Sequence, residues 1–241
     1  MSVNIIFPVL NEKLRLEKGI VRTVEYLQSI NCEDYRITIV DNGSMDETPQ
    51  IARRLGRLYP RVTYKRIEVR GVGAAFRQGA KENSCSILGY MDIDLSTNLR
   101  HLGEALRMFE EDPNLQYING SRFADTSKTK GRKWYRKITS GGLLVLLKVF
   151  LGMKSTDAIC GFTFLRKDAA EELIAAGSDD NGWFYMIEFL LRAERRKMNI
   201  LDYPVEWEED YNTTVKIFRT VCNYIKNIGK LFWEFNIRKN I

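Results

Sequence analysis

The chain alternates short runs of β-branched and aromatic residues with longer stretches whose apolar residues recur at helical spacing. The short runs at 3–7, 36–40, 62–69 and 86–91 have the length and composition of strands. The segment between the first two strands is predicted to be a helix, because its apolar residues recur at helical spacing: Leu14, Leu16, Ile20, Val24 and Leu27. A second helix is predicted to follow Asp46 as its N-cap, and a third to span residues 74–83. This order predicts an α/β fold with a mainly parallel central sheet flanked by helices.

The second half of the chain has a different pattern. Residues 121–133 are polar and basic and are predicted to form a mobile loop. Helices are predicted at 134–153 and 183–197, an amphipathic helix at 213–235, and strands at 161–165 and 199–205. Because no stretch has the composition of a linker, residues 1–241 are expected to form one domain.

Charge and composition limit the ligands and metal ions that the chain is expected to bind. The net charge of +6 favours anionic partners such as phosphates, anionic lipids or nucleic acid. The basic residues are not gathered in one arm, so nucleic acid is not expected. His101 is the single histidine, and the four cysteines are far apart, which excludes a multi-histidine metal site. Any metal is therefore expected to be held by oxygen, as Mg²⁺ or Mn²⁺ are.

The sequence predicts neither a signal peptide nor a membrane-spanning helix. Met1 leads directly into the first apolar run, and the most apolar long segment, 138–153, is shorter than the roughly 20 residues that a bilayer requires. We therefore expect a cytoplasmic protein.

Two carboxylates, Asp92 and Asp94, stand where the fourth predicted strand ends. Ligands of parallel α/β sheets bind beyond the carboxyl ends of the strands, and Asp41 and residues 8–12 follow two other strands of the same sheet. Two adjacent carboxylates repel each other unless a cation lies between them. Taken alone, the Asp-x-Asp pattern is better explained by a strand end followed by a helix cap.

Four segments in register resemble the family 2 glycosyltransferases, which have the GT-A fold: "FPVLNE" (7–12), "IVDNGSMDET" (39–48), "RGVGAAFRQG" (70–79) and "MDIDLS" (91–96). The resemblance implies that residues 1–120 bind a UDP- or GDP-linked sugar and that Asp92 and Asp94 hold Mg²⁺ or Mn²⁺ with the diphosphate. It implies a set of nucleotide-binding residues, namely Pro8, Leu10, Asn11, Glu12, Asp41, Asn42, Gly71 and Gly73. Two positions depart from the family pattern. The family often has an aromatic residue where this chain has Leu10, and it has an acidic residue where this chain has Asn42.

The second half resembles the dolichyl-phosphate and polyprenyl-phosphate sugar synthases. The matching segments are "NGSRF" (119–123), "WYRKITS" (134–140), "DAICGF" (157–162), residues 183–207 and Lys216. This resemblance implies an acceptor half at 121–241 in which the acceptor phosphate contacts Arg122, Arg136, Ser140 and Lys216. Arg136 and Ser140 are four residues apart and so share one helix face. Asp157 and Glu188 are candidate catalytic bases, although Asp157 could orient the acceptor loop and Glu188 could pair with an arginine.

The resulting expectation is an inverting, metal-dependent transfer of a sugar from a nucleotide sugar to a polyprenyl phosphate such as dolichyl or undecaprenyl phosphate. A hydroxyl acceptor on a glycan or lipid-linked saccharide is the first alternative, and a non-catalytic nucleotide-sugar-binding subunit is the second. A Rossmann dehydrogenase does not fit, because Gly71 and Gly73 follow the third strand rather than the first. The helices at 134–153 and 213–235 are expected either to rest on the inner face of a membrane, peripherally, or to pack on the sheet.

Overall fold

The computed structural model describes residues 1–131, 134–178, 180–209 and 217–238. Its strands are β1 (Val3–Val9), β2 (Tyr35–Asp41), β3 (Val62–Arg66), β4 (Ile87–Met91), β5 (Tyr117–Ser121), β6 (Lys128–Lys130), β7 (Phe162–Arg166), β8 (Ile200–Pro204) and β9 (Glu206–Glu208). Its α-helices are α1 (Leu16–Ser29), α2 (Thr48–Leu58), α3 (Val72–Ala80), α4 (Arg100–Glu111), α5 (Trp134–Leu151), α6 (Lys167–Ala175), α7 (Phe184–Arg195) and α8 (Ile217–Trp233). A π-helical turn, Glu234–Arg238, follows α8.

Seven strands form one sheet in the order β3-β2-β1-β4-β7-β5-β8. β1, β2, β3 and β4 run parallel to one another, and β5 is parallel to β8. β7 lies antiparallel between β4 and β5. The expected mainly parallel sheet is confirmed, and the three parallel pairs among β1 to β4 place the carboxyl ends of these strands at one edge.

Both faces of the sheet are apolar and buried, because the strands direct apolar side chains to each side in turn. Ile6, Val40 and Leu88 point into one apolar cluster, which also takes in residues of α3, α6, α7 and α8. Ile5, Ile37 and their neighbours point into a second cluster with α1, α2 and α4. Because successive side chains of a strand face opposite sides, two helical layers cover a sheet that is apolar on both faces.

The structure also differs from the predictions in several places. The expected loop at 121–133 contains β6, which pairs with β9 in a small parallel sheet. Helices α4 and α6 were not predicted. Asp46 is not the residue that directly flanks α2, but its Oδ1 accepts the Thr48 N–H at 2.9 Å and so satisfies one donor of the first turn. Of the predicted helix at 213–235, residues 213–216 lie outside the described part of the chain.

The single histidine, His101, has a structural role in connecting two elements of the fold. His101 is buried, and its Nε2 accepts the Glu206 N–H at 2.8 Å, which joins α4 to β9. Burial lowers the pKa of His101 despite the opposing effect of Glu104. Among the described residues, no helix is long and apolar enough to cross a membrane.

Candidate active site

The loops after β1, β2 and β3 meet at the carboxyl ends of these strands, where a binding site is predicted from the sequence. The Asn42 N–H donates to the Val9 carbonyl at 2.9 Å, and the Asn11 N–H donates to Ser44 Oγ at 2.9 Å. The Gly71 N–H donates to Asn42 Oδ1 at 3.1 Å, which brings the segment before α3 to the same place. Asn42 therefore joins the loops after β1 and β2 to the glycine segment.

Two non-glycine residues in this region have a left-handed backbone. Asn11 has φ of 56° and Leu95, next to Asp94, has φ of 54°. Such conformations cost free energy and persist only where surrounding contacts impose them, as they often do at functional sites. The loops after β1 and β4 are thus held in specific shapes.

Asp41, one of the predicted nucleotide-binding residues, is fully buried at the end of β2. Its carboxylate accepts hydrogen bonds from the Ser44 N–H at 2.8 Å, the Tyr64 hydroxyl at 2.9 Å and Arg66 Nη1 at 3.2 Å. These partners hold the loop after β2. A contact between Asp41 and a base would have to be made in addition to them, and it stays a prediction.

Glu12 occupies the loop after β1, beside the exposed Leu10 and the partly buried Pro8. Its N–H donates to Thr48 Oγ1 at 2.7 Å, and its carboxylate accepts Arg15 Nε at 2.6 Å and Nη2 at 2.9 Å. The arginine neutralises the charge of the carboxylate. A contact between Glu12 and a nucleotide stays a prediction.

The pKa of the Asp92 carboxyl is strongly shifted by its surroundings. Burial, followed by the charge of Asp94, raises the pKa of the Asp92 carboxyl to about 7. The Tyr90 hydroxyl, 2.6 Å from Asp92 Oδ1, and the charge of Arg122 act in the opposite direction. Two adjacent carboxylates in a poorly solvated site are stabilised by a cation.

The chain leaves room for the Asp92 carboxylate by placing a glycine opposite it. A Cβ on Gly161 would lie 1.9 Å from Asp92 Oδ2, and the Asp92 N–H donates to the Gly161 carbonyl at 3.2 Å. Asp94 is oriented by the Ser96 N–H, which donates to its Oδ1 at 2.9 Å. The sequence prediction named the two aspartates but missed Tyr90 and Gly161; the only signal was that Gly161 lies within the quoted 157–162 segment.

Within the described part of the chain, the two aspartates do not belong to a larger ligand cluster. Across the described residues, no group of three or more His, Cys, Asp or Glu side chains is arranged to hold a metal ion. A pair of carboxylates fits Mg²⁺ or Mn²⁺, which bind few protein carboxylates and complete their coordination with water and phosphate oxygens. The donor set therefore fits a metal that arrives with a diphosphate.

Arg122 and Asp157, assigned separate roles from the sequence, form one buried ion pair. Arg122 Nε lies 2.7 Å from Asp157 Oδ2 and Nη2 lies 3.0 Å from Oδ1, a bidentate geometry. The Arg122 N–H also donates to Oδ2, and the Ile159 N–H donates to Oδ1. Burial alone would lower the pKa of Arg122, but Asp157 raises it overall. The Arg122 guanidinium also lies over the Trp207 ring, 5.4 Å from its centroid.

Glu188, the other candidate base, is likewise engaged. Its carboxylate accepts the Ser178 hydroxyl at 2.6 Å and Arg192 Nε at 2.8 Å. Arg192 Nη2 also lies 2.7 Å from Glu234 Oε1. Both carboxylates are buried and paired with arginine, and a role for either as the catalytic base stays a prediction.

The predicted glycine segment is packed against protein. Gly71 has φ of 136°, and a Cβ there would lie 1.8 Å from the Asn181 carbonyl oxygen. The Gly73 N–H donates to the Gly182 carbonyl at 3.2 Å. Arg77 donates to the Asp180 carbonyl at 3.0 Å and to Asn181 Oδ1. The close approach that these glycines permit is thus to the 180–182 segment, and their contact with a nucleotide stays a prediction.

The remaining acceptor residues are only partly described. Ser140 is buried on α5. Arg136 lies one turn earlier on the same helix, but the placement of its side chain is outside the described part of the structure. Lys216 lies outside the described residues altogether. The structure therefore brings Arg122 and Asp157 together and leaves the grouping of Arg136, Ser140 and Lys216 as a prediction.

Comparisons with known proteins identify the fold and the family. The chain is 30% identical to the glycosyltransferase AglD of Haloferax volcanii over its full length, but spans only 38% of that protein. It is 28% identical to the dolichyl-phosphate beta-glucosyltransferase ALG5D of Trichomonas vaginalis, over 89% of this chain and 68% of that one.

Among solved structures, glucosyl-3-phosphoglycerate synthase from Mycobacterium tuberculosis in complex with Mn²⁺, UDP and phosphoglyceric acid superposes with a TM-score of 0.71. The match covers 98% of this chain and 79% of the synthase at 16% identity, so it supports the fold alone. The expected GT-A fold is confirmed. The model of the family described as "Glycosyl transferase family 2" matches residues 4–174, and this chain therefore belongs to the family 2 glycosyltransferases.

Proposed function

We propose that this glycosyltransferase moves one sugar, with inversion, from a nucleotide sugar to the phosphate of a polyprenyl phosphate, and that it uses a divalent metal. The choice of acceptor rests on the hydrogen bonds and ion pairs that the two candidate bases make. Asp157 and Glu188 each accept two or more hydrogen bonds and each pair with an arginine. An acceptor that needs no deprotonation fits this arrangement better than one that does.

Hydroxyl and phosphate acceptors differ in whether they need a catalytic base. A sugar hydroxyl needs a positioned base to remove its proton as it attacks. A phosphate monoester has a second pKa of about 6 and is already anionic at neutral pH. The dolichyl-phosphate transferase among the relatives supports the same class of acceptor.

Asp92 and Asp94 are the residues that would hold Mg²⁺ or Mn²⁺. A bound divalent ion would stabilise the negative charge that develops on the departing nucleoside diphosphate. Tyr90 orients the Asp92 carboxylate, Ser96 orients that of Asp94, and Gly161 leaves room for both Asp92 oxygens. The Mn²⁺ bound to the mycobacterial synthase supports a divalent metal but does not distinguish manganese from magnesium.

On the donor side, Pro8, Leu10, Asn11 and Glu12 would contact the nucleoside from the loop after β1. Asn42 fixes that loop to the glycine segment. UDP- and GDP-linked sugars both fit, because each base presents N–H groups to a carboxylate or amide oxygen. The UDP complex of the mycobacterial synthase supports the uridine form.

On the acceptor side, Arg136, Ser140 and Lys216 would contact the phosphate, with Arg122 contributing the N–H groups that Asp157 leaves free. Two anions brought together repel, and fixed cations beside them offset the repulsion. A lipid-linked acceptor also places the reaction at a membrane surface, on the cytoplasmic side where nucleotide sugars are available.

A direct assay of acceptors tests the proposal. The purified chain of residues 1–241 is incubated with Mn²⁺ and labelled UDP- or GDP-sugars, and with either polyprenyl phosphate or lipid-linked and free saccharides. We expect transfer to polyprenyl phosphate, and loss of transfer in excess chelator or in Asp94→Asn. Transfer to saccharides alone would replace the acceptor with a hydroxyl, and donor binding without hydrolysis or transfer would indicate a non-catalytic subunit.

A further inference from the structure

The first turn of α3 is capped by backbone carbonyls of a segment that is distant in the chain, residues 180–182. The Gly73 N–H donates to the Gly182 carbonyl at 3.2 Å. The Ala74 N–H donates to the Asn181 carbonyl at the same distance. Free N–H groups at a helix N-terminus bind phosphate readily. Because carbonyl oxygens already accept two of these donors, the N-terminus of α3 is a poor site for a diphosphate.

Arg77, in the second turn of α3, holds this segment in place. Its Nη1 donates to the Ser178 carbonyl at 3.3 Å and to the Asp180 carbonyl at 3.0 Å. Its Nη2 donates to Asn181 Oδ1. The partly buried guanidinium also lies over the Tyr185 ring, 4.8 Å from its centroid. The planar fork of the arginine thus contacts three successive parts of the segment at once, which a single ammonium could not do.

The same segment is also held from α8. Asn227 Nδ2 donates to Asp180 Oδ2 at 2.9 Å, and Asp180 Oδ1 accepts the Gly182 N–H at 2.7 Å. The Asp180 carboxylate therefore joins the C-terminal helix to the residue whose carbonyl accepts the Gly73 N–H. Arg77 and Asn227 hold the segment from two different helices.

The glycine segment, residues 71–73, connects these contacts to the predicted nucleotide site. A Cβ on Gly71 would lie 1.8 Å from the Asn181 carbonyl oxygen, so the two backbones are in close contact. The Gly71 N–H donates to Asn42 Oδ1 at 3.1 Å, and Asn42 Nδ2 donates to the Val9 carbonyl at 3.2 Å. A displacement of residues 180–182 would therefore be passed on to the loops after β1 and β2.

We propose that Arg77 is a positioning residue for the nucleotide of the donor, and that it acts through residues 180–182 on the glycine segment. This inference rests on the proposed nucleotide-sugar donor and deepens it by assigning a residue that keeps the donor site in shape without touching the nucleotide. A segment that instead obstructed the site would have the opposite effect, because loosening it would then strengthen nucleotide binding.

Calorimetric titration of the purified chain of residues 1–241 with UDP and with GDP, each in the presence of Mn²⁺, tests the inference. Arg77→Met keeps an unbranched apolar stem and removes every N–H donor. We expect this variant to bind the nucleotide about tenfold more weakly than the wild type, since several hydrogen bonds to the segment are lost. Asn227→Ala removes a single hydrogen bond and should weaken binding about threefold, which keeps the inference testable if Arg77→Met does not fold.

Arg166→Met is the matched control. Arg166 also donates to three backbone carbonyls, those of Phe109, Asp112 and Leu115. Its guanidinium likewise lies over an aromatic ring, 5.4 Å from the centroid. Arg166 pairs with Ile87, the first residue of β4, and so lies at the edge of the sheet opposite the predicted site. This variant should lose thermal stability as Arg77→Met does but bind nucleotide as the wild type does. An equal loss of affinity in both variants would show a general destabilisation and overturn the inference.

Amide hydrogen exchange separates this inference from the proposed reaction, because it needs no ligand. Peptides that cover residues 71–77 should exchange faster in Arg77→Met than in the wild type or in Arg166→Met. Unchanged exchange, unchanged nucleotide affinity or tighter nucleotide binding in Arg77→Met would each overturn the positioning role. Wild-type chain that binds neither nucleotide would overturn the proposed donor, whereas faster exchange in the variant would still support the hold of Arg77 on the glycine segment.

Discussion

The Tyr90 hydroxyl donates a 2.6 Å hydrogen bond to Asp92 Oδ1, two residues further along the chain at the end of β4. The bond fixes one carboxylate oxygen and leaves Oδ2 beside Gly161. It also favours the charged form of the carboxylate and so opposes the burial that raises its pKa. Tyr90 is thus placed to hold Asp92 in the form and orientation that a metal ion requires.

Tyr90→Phe should weaken Mn²⁺ binding about tenfold, since hydrogen bonds to charged groups contribute roughly 1.5–3 kcal/mol. Calorimetric titration with Mn²⁺ in the presence of UDP measures the effect. Tyr117→Phe serves as a control, because this second buried tyrosine lies on β5 and has Thr163 as its side-chain partner. Equal affinities in wild type and Tyr90→Phe would contradict the positioning role.

The pH dependence of stability should report the burial of the Asp92 carboxylate beside Asp94. The pKa of Asp92 rises from 3.8 to about 7 on folding, so between these values the folded chain binds more protons than the unfolded one. Without metal, the contribution of Asp92 to stability is therefore full below about pH 4 and is lost as the pH rises through 7. Thermal unfolding in chelator should show Asp92→Asn gaining stability over wild type as the pH increases, by on the order of 1 kcal/mol. The same variant should have lost transfer activity. A stability difference that is independent of pH would contradict the raised pKa of Asp92.

Gly161→Ala should impair catalysis with only a modest effect on folding. The added Cβ would lie 1.9 Å from Asp92 Oδ2 and 2.2 Å from Asp92 Cγ, so the carboxylate has to move. Displacement of a reacting group by about 1 Å can cost about 100-fold in rate. Steady-state kinetics with saturating donor measures the loss. Gly142→Ala on α5 is the control, since a Cβ there meets no atom within 4 Å, and it should retain wild-type rates.

Asp157→Asn distinguishes a structural ion pair from a catalytic base. Removing the carboxylate leaves Arg122 buried without its counter-charge, which should cost about 3 kcal/mol in the free energy of unfolding. Urea denaturation measures this, and the double variant Arg122→Leu with Asp157→Leu should be less destabilised than the two single effects added together. If Asp157→Asn keeps full stability and abolishes turnover, the carboxylate acts as a base and the acceptor is a hydroxyl.

Arg136→Lys should raise the apparent KM for polyprenyl phosphate about tenfold and leave the KM for the donor nearly unchanged. An ammonium cannot reproduce the two parallel hydrogen bonds of a guanidinium on phosphate. Lys137→Ala, which removes the adjacent positive charge, is the control for a general electrostatic effect. Equal increases in KM for both variants would indicate attraction by the basic helix rather than a specific phosphate contact.

The sequence predicted the alternating order of β1 to β4 because each of these elements has a local signal, either apolar alternation or helical spacing. The direction of β7 had no such signal, since it depends on hydrogen bonds to β4 and β5, which are distant in the chain. The rule for strand ends predicted that the loops after β1 and β2 lie together, as the hydrogen bond from the Asn42 N–H to the Val9 carbonyl shows. The pairing of Arg122 with Asp157, 35 residues apart, and the approach of Gly161 to Asp92 are products of tertiary packing, and local patterns cannot encode them.

Asn227 on α8 donates a 2.9 Å hydrogen bond to Asp180 Oδ2, and Asp180 belongs to the segment packed against Gly71. Helix α8 therefore cannot be regarded as a detachable appendage. An engineered fragment that ends before residue 217 would lose this hydrogen bond and the Arg192–Glu234 ion pair together. The part of the chain that packs behind the glycine segment would then be held by two fewer contacts. A minimal catalytic unit cut from this fold should accordingly retain the C-terminal helix, even when the acceptor supplied to it is water-soluble.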